Sequence, residues 1–151
     1  MRIYHNATDS YLDNYSGDLI LQQHTDDKDI IFKCDDGSGG TTAYLTLDGS
    51  AGLIAVEKNL YLIDNVRLVM GTGSDFQILH NGSNALIHNT VGDIDIRNYA
   101  TDGDIVFSSD NGSGGETPYL TLDGGLGYMF ASKQLRFLDG VSAYFGSDND
   151  M

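Results

Sequence analysis

Two histidines, His5 and His80, stand closest to chemistry in this chain. They lie 75 residues apart, and each sits two positions after an isoleucine, Ile3 and Ile78. On a β-strand, side chains two apart point to the same side, so each histidine shares the face of its isoleucine. If three copies of the chain surround a common axis, three such histidines meet near it. Three imidazoles, with waters completing the shell, suffice for Zn²⁺ or Fe²⁺, and a metal there would clamp the chains together. The simpler reading, which the residues favour, is a strand-end histidine bonded to its own turn. His24 and His88 have no counterpart 75 residues away and are expected in solvent.

The next candidates are two loops, Asp35-Asp36-Gly37-Ser38-Gly39-Gly40 and Asp110-Asn111-Gly112-Ser113-Gly114-Gly115. Their oxygens lie close together, yet neither the twelve-residue EF-hand loop nor the calcium-binding nonapeptide repeat is present. Asp, Asn and Gly are also the residues that build turns, which is the favoured reading. Projecting from a shaft, Gly37, Ser38 and Gly39, with Gly112, Ser113 and Gly114, could touch a surface glycan. Four positions per loop tolerate a positive φ, so an excursion from the main body is expected.

Paired carboxylates at Asp27 and Asp29, and at Asp102 and Asp104, could be set against a glycosidic bond. They precede a strand, and the chain has no tryptophan to form a sugar platform, so a turn role is favoured. Tyr44 and Tyr119, opposite in parity to the neighbouring leucines, are read as packing across strands rather than contacting a ligand. No nucleophile elbow, dinucleotide loop, Walker loop or H-E-x-x-H pair occurs, and no catalysis is expected.

What must position these residues is a chain written twice. Residues 1–75 and 76–150 align without a gap, with 29 identical pairs among 75. The identities concentrate in glycines, aspartates and alternate apolar positions, which are turns and inward faces. Such repeats mark solenoids and fibres, in which a unit buries its apolar face only against a neighbour. The two repeats are therefore read as successive lengths of one fibrous domain. The chain starts within a repeat and ends at a repeat boundary, and its lack of caps and of a signal peptide is read as the expectation of an excerpt from a longer protein.

With 22 acidic residues against 8 basic ones, the net charge is −14. Phosphate recognition needs clustered Lys and Arg, so nucleic acid is not an expected partner, and no apolar run is long enough for a membrane helix. Cys34 is the sole cysteine, and its counterpart is Ser109; it is read as a small filler.

Nineteen glycines and one proline suit a turn-rich all-β protein without significant helix. Alternation predicts strands at 93–97, 104–108 and 119–122, at Leu135 with Phe137, at Phe76 with Ile78, and after the Asp48-Gly49 turn. Pro118 is placed just before a strand. These short pieces recur about every 8 residues. A triangular rung within one chain would need roughly 15–25 residues at the ~3.3 Å rise per residue. That favours an intertwined homotrimer of triangular cross-section over a single-chain β-helix, solenoid or sandwich.

The segment Asp75-Phe76-Gln77-Ile78-Leu79-His80-Asn81-Gly82-Ser83-Asn84-Ala85-Leu86-Ile87 resembles the D-x-Q-I-x-H-[DN]-G-S-N-x-x-I unit of marine bacteriophage tail-fibre proteins, including those of phages infecting cyanobacteria. The elements that follow in such proteins are matched by Gly92 to Ile96, by Tyr119 to Gly124 and by Leu135 to Val141. In the first copy Asn6-Ala7-Thr8-Asp9 replaces Asn81-Gly82-Ser83-Asn84, and Ala in place of Gly weakens a type I′ turn there. The resemblance covers essentially the whole chain. It implies a homotrimeric, non-enzymatic virion part, extracellular when functional, that holds a receptor-binding tip for host attachment. From the residues themselves, a host surface glycan or receptor is a candidate partner, and no cofactor is expected other than the candidate axial Zn or Fe at His5 or His80.

Overall fold

The structure is a computed structural model that describes residues 1–144. All regular elements among these residues are strands: β1 (Arg2–His5), β2 (Ser10–Asp13), β3 (Ile30–Asp35), β4 (Thr41–Asp48), β5 (Leu53–Val56), β6 (Arg67–Met70), β7 (Phe76–His80), β8 (Ala85–Asn89), β9 (Ile105–Asp110), β10 (Glu116–Asp123) and β11 (Tyr128–Ala131). They form four small sheets, ordered β1-β2, β3-β4-β5, β6-β7-β8 and β11-β10-β9. The pairings are antiparallel neighbours in sequence, as expected where short turns of Gly, Asp and Asn join alternating strands. The fold is all-β, as the alternation predicts. No solenoid or β-helix is shown among the described residues, whose strands pair as local antiparallel hairpins.

Two compact units divide the chain, Met1–Ile87 and a second beginning at His88. The sequence repeat divides it at residue 75; one is a period of residues, the other a grouping by packing, and they need not coincide.

In the first unit, Ile30, Leu47 and Ile54 form one cross-strand row, and Phe32, Leu45 and Val56 form the next. Directly paired residues share a sheet face, so these six apolar side chains make one face. In the second unit Ile105, Leu122 and Met129, then Phe107, Leu120 and Ala131, repeat it in the same register. Both faces are left largely open among the described residues: Ile54 and Met129 are 67% and 68% exposed. No hydrophobic side chain among the described residues is buried, and Thr46 alone among polar ones is, at 8% exposure.

Three expectations are corrected. Residues 93–97 and 135–137 alternate like strands but form none, because no segment of the same chain runs beside them; Ile94 and Ile96 are 53% and 63% exposed. The Gly-Ser-Gly-Gly loops are tight tips joining β3 to β4 and β9 to β10, not excursions. Each tip closes on a main-chain bond, Asp36 N–H to Gly40 O at 3.2 Å and Asn111 N–H to Gly115 O at 2.8 Å. Pro118 lies inside β10, not before it, beside a bulge between Pro118 and Leu120. A bulge releases the ladder position that proline cannot fill.

Candidate functional site

The two histidines end their strands at the mouth of a turn, as the simpler reading expects. His5 ends β1, and its Nδ1 lies 3.3 Å from the hydroxyl of Ser10, its cross-strand partner. The turn beyond is held by Asn6, whose side-chain oxygen accepts from the N–H of Thr8 at 3.0 Å and of Asp9 at 2.7 Å. Asn81 does the same for Ser83 at 3.0 Å and Asn84 at 2.8 Å.

His80 ends β7 and has a partner His5 lacks. Its Nδ1 lies 2.8 Å from Oδ1 of Asp64 and 3.2 Å from the N–H of Gly82. Both contacts cannot be hydrogen bonds in one state, since a protonated Nδ1 donates to the carboxylate and has no lone pair for Gly82. The shorter, charge-assisted contact prevails. That places the proton on Nδ1 and leaves a lone pair on Nε2, the arrangement in which a carboxylate orients a metal-ligating histidine. Within one chain, no group of three or more His, Cys, Asp or Glu side chains among the described residues could hold a metal. An axial metal would draw His5 or His80 from each of three chains.

The acidic pairs do turn chemistry. Oδ1 of Asp29 accepts from Gly49 N–H at 3.0 Å, and Oδ1 of Asp104 from Gly124 N–H at 3.0 Å. Asp27 and Asp102 each take a φ of 56°, a left-handed conformation that Asp tolerates. Their carboxylates thus sit where the backbone requires them.

The hairpin tips consume their own polar atoms. Asp36 Oδ1 accepts from Ser38 N–H at 2.7 Å and Gly40 N–H at 3.1 Å. Asn111 Oδ1 serves Ser113 at 2.8 Å and Gly115 at 3.3 Å. Of the four small residues, Gly37 and Gly39 take positive φ, as do Gly112 and Gly114. The tips are exposed, but Asp36 Oδ1 and Asn111 Oδ1 each already accept two N–H groups, and Asp35 Oδ1 and Asp110 Oδ1 accept one each, from Gly37 and Gly112.

Tyr44 and Tyr119 are the bulged residues opposite the β3 and β9 partners. Tyr44 reaches along its hairpin to donate its hydroxyl to Asp35 O at 3.1 Å, and Tyr119 reaches Asp110 O at 3.2 Å. Lys58 lies over the Tyr44 ring at 5.7 Å and Lys133 over Tyr119 at 5.9 Å. This cation–π pairing was not foreseen, although Lys58 and Lys133 are an identical pair 75 residues apart and could have signalled it. The tyrosines therefore hold their hairpins as well as facing solvent.

An apolar depression of about 490 Å³ opens at the end of β3-β4-β5, lined by Ile30, Leu47, Leu53 and Ile54 with Lys28 and Asp48 near its rim. Ile30, Leu47 and Ile54 form one row of the uncovered apolar face. Asp48 accepts from Ala51 N–H at 2.7 Å and from the Ser50 hydroxyl at 2.8 Å. These bonds, the backbone one foremost, hold its carboxyl below the usual value. The neighbouring Asp13 carboxylate raises Tyr15, and Asp95 raises Arg97.

No protein-family model, curated protein or solved structure matches the chain. What the residues can do is therefore judged on the geometry alone. It offers turns, hairpin clamps and uncovered apolar faces.

Proposed function

We propose that the chain is a structural segment of a trimeric fibre, of the kind that forms a phage tail-fibre shaft and carries a receptor-binding tip. The observation that carries this reading is the amount of apolar surface a single chain leaves bare. Its accessible surface is 12907 Å². A compact folded chain of this mass exposes roughly 7,500 Å² by the area–mass relation. The difference, on the order of 5,000 Å², falls in the range that obligate assemblies bury. The chain is 40% hydrophobic yet buries no apolar side chain among its described residues. Such a sequence is organised to be covered by something. The segments at 93–97 and 135–137, which form no strand, add backbone groups for a neighbouring chain to meet. The role is mechanical: stiffness comes from pairing between chains, register from the repeated turns, and solubility from the net charge of −14.

The mass in dilute solution tests this reading. Light scattering should return three times the 16.4 kDa of one chain, and a single-chain mass would end the proposal. Binding to a glycan array that vanishes when both Gly-Ser-Gly-Gly tips are shortened would instead favour a carbohydrate-binding module.

A further inference from the structure

We infer that the six-residue apolar face of β3-β4-β5, and its counterpart on β11-β10-β9, are the surfaces by which copies of this chain bind one another, equivalent face to equivalent face around a common axis. This rests on the proposed trimer and goes further, naming the surface that makes it.

Three observations select the face and its occupant. First, each face is apolar at all six positions, and none of its side chains is buried among the described residues. Phe32, Leu47, Ile54 and Val56 are 45%, 37%, 67% and 50% exposed; Phe107, Leu122 and Met129 are 48%, 40% and 68% exposed. Contiguous exposed apolar patches of this kind mark interaction surfaces. Second, none of the six positions of either face is charged, in a chain whose net charge is −14. Two copies repel wherever acidic surfaces meet, so these uncharged rows are where like-charged chains can approach. Third, the same six positions recur in the same register in both sheets, although residues between them differ, as Lys33 and Ser108 show. A unit that meets its own copy needs that repetition, because each length of the assembly presents the same surface. The opposite sides carry a less apolar row, Ile31-Thr46-Ala55 in the first sheet and Val106-Thr121-Phe130 in the second, each centred on a threonine, and Thr46 Oγ1 donates to Glu57 at 2.7 Å.

The test uses the full chain with Cys34→Ser, so that no native thiol interferes. Ile54 and Met129 are mostly exposed within the chain, so Ile54→Glu with Met129→Glu leaves the hairpins intact while placing two charges on the faces. Light scattering should fall threefold in mass relative to the parent. A second variant guards against simple loss of folding. Mild oxidation of Ile54→Cys should yield a disulfide-linked pair of chains on a non-reducing gel, and Ile31→Cys, on the opposite side, should not. A parent of three-chain mass whose double-glutamate variant keeps that mass, or whose Ile31→Cys cross-links in preference to Ile54→Cys, overturns the assignment of the face and leaves the shaft reading standing. A parent of single-chain mass whose face binds a hydrophobic dye overturns both, and gives the face to a different occupant.

Discussion

The carboxylate of Asp29 accepts the N–H of Gly49, twenty residues on, at 3.0 Å, and Asp104 holds Gly124 in the same way. The bond ties the entry of β3 to the turn leaving β4 and squares the end of the hairpin. It also explains the glycine. A Cβ on Gly49 would lie 2.5 Å from the Lys28 carbonyl oxygen, and one on Gly124 2.4 Å from that of Gly103. Both obstacles are backbone and cannot swing away. Gly49→Ala and Gly124→Ala should each lower stability by about 1–3 kcal/mol. Asp29→Ala, which loses the bond without a clash, should lower it by roughly 1 kcal/mol. Denaturant midpoints at fixed protein concentration measure both; equal, negligible shifts would refute the clamp.

This clamp shows where sequence reading stops. The strands at Ile105–Asp110 and Glu116–Asp123 are legible because apolar residues alternate between turn pairs. Asp29 and Gly49 are identical in both copies, yet no local rule joins residues twenty apart. Residues 93–97 fail in the opposite sense: the alternation is plain, but a strand needs a partner, and the chain does not supply one. For the site, the strand-end position of His5 and His80 was readable from the Asn that follows each and holds the turn. Asp64 beside His80 was not, because it comes from the preceding repeat.

Ala7 has a φ of 79°, where its counterpart Gly82 has 90°. A side chain in the left-handed region is strained, by roughly 1 kcal/mol. Ala7→Gly should therefore stabilise the β1-β2 hairpin by up to about 1 kcal/mol, less the added chain entropy. Slower amide exchange at Tyr4 and Tyr11 would register the gain, and faster exchange would contradict it.

The 2.8 Å contact between His80 Nδ1 and Asp64 Oδ1 fixes which nitrogen carries the proton in neutral imidazole. Nitrogen-15 shifts should show His80 protonated on Nδ1 and bare on Nε2, with Asp64→Ala shifting the balance toward the Nε2-protonated form. His5, which faces only the Ser10 hydroxyl, should lack this bias. A His80 protonated on Nε2 in the unsubstituted protein would show that Gly82, not Asp64, sets the ring.

Asp48 makes the β4-β5 turn sensitive to acid. Bonds from Ala51 and Ser50 favour its charged form, so its folded value lies below the ordinary 3.8. A carboxylate depressed on folding contributes stability that is complete above its unfolded value and fades as pH falls through the folded one. The protection factor of the Ala51 amide, in which the intrinsic pH dependence of exchange cancels, should therefore be constant above about pH 5 and should fall below 3.8. Asp48→Asn, which does not titrate, should abolish that pH dependence.

Residues 93–97 test pairing between chains. Ile94 and Ile96 are 53% and 63% exposed, and their segment forms no strand, so a proline there breaks no ladder inside the chain. In an assembly where this segment pairs with a neighbouring chain, proline deletes a donor the partner needs, and a central strand does not tolerate that. Ile96→Pro should thus leave the hairpins folded, by unchanged amide protection in β4 and β10, while mass by light scattering drops toward one chain. Exchange gives the same contrast without substitution: the Ile94 and Ile96 amides should be protected at the concentrations where the mass is threefold and should lose that protection on dilution to the single chain. Unprotected amides in the full assembly would mean that the chains meet through side chains alone, and that 93–97 stays in water.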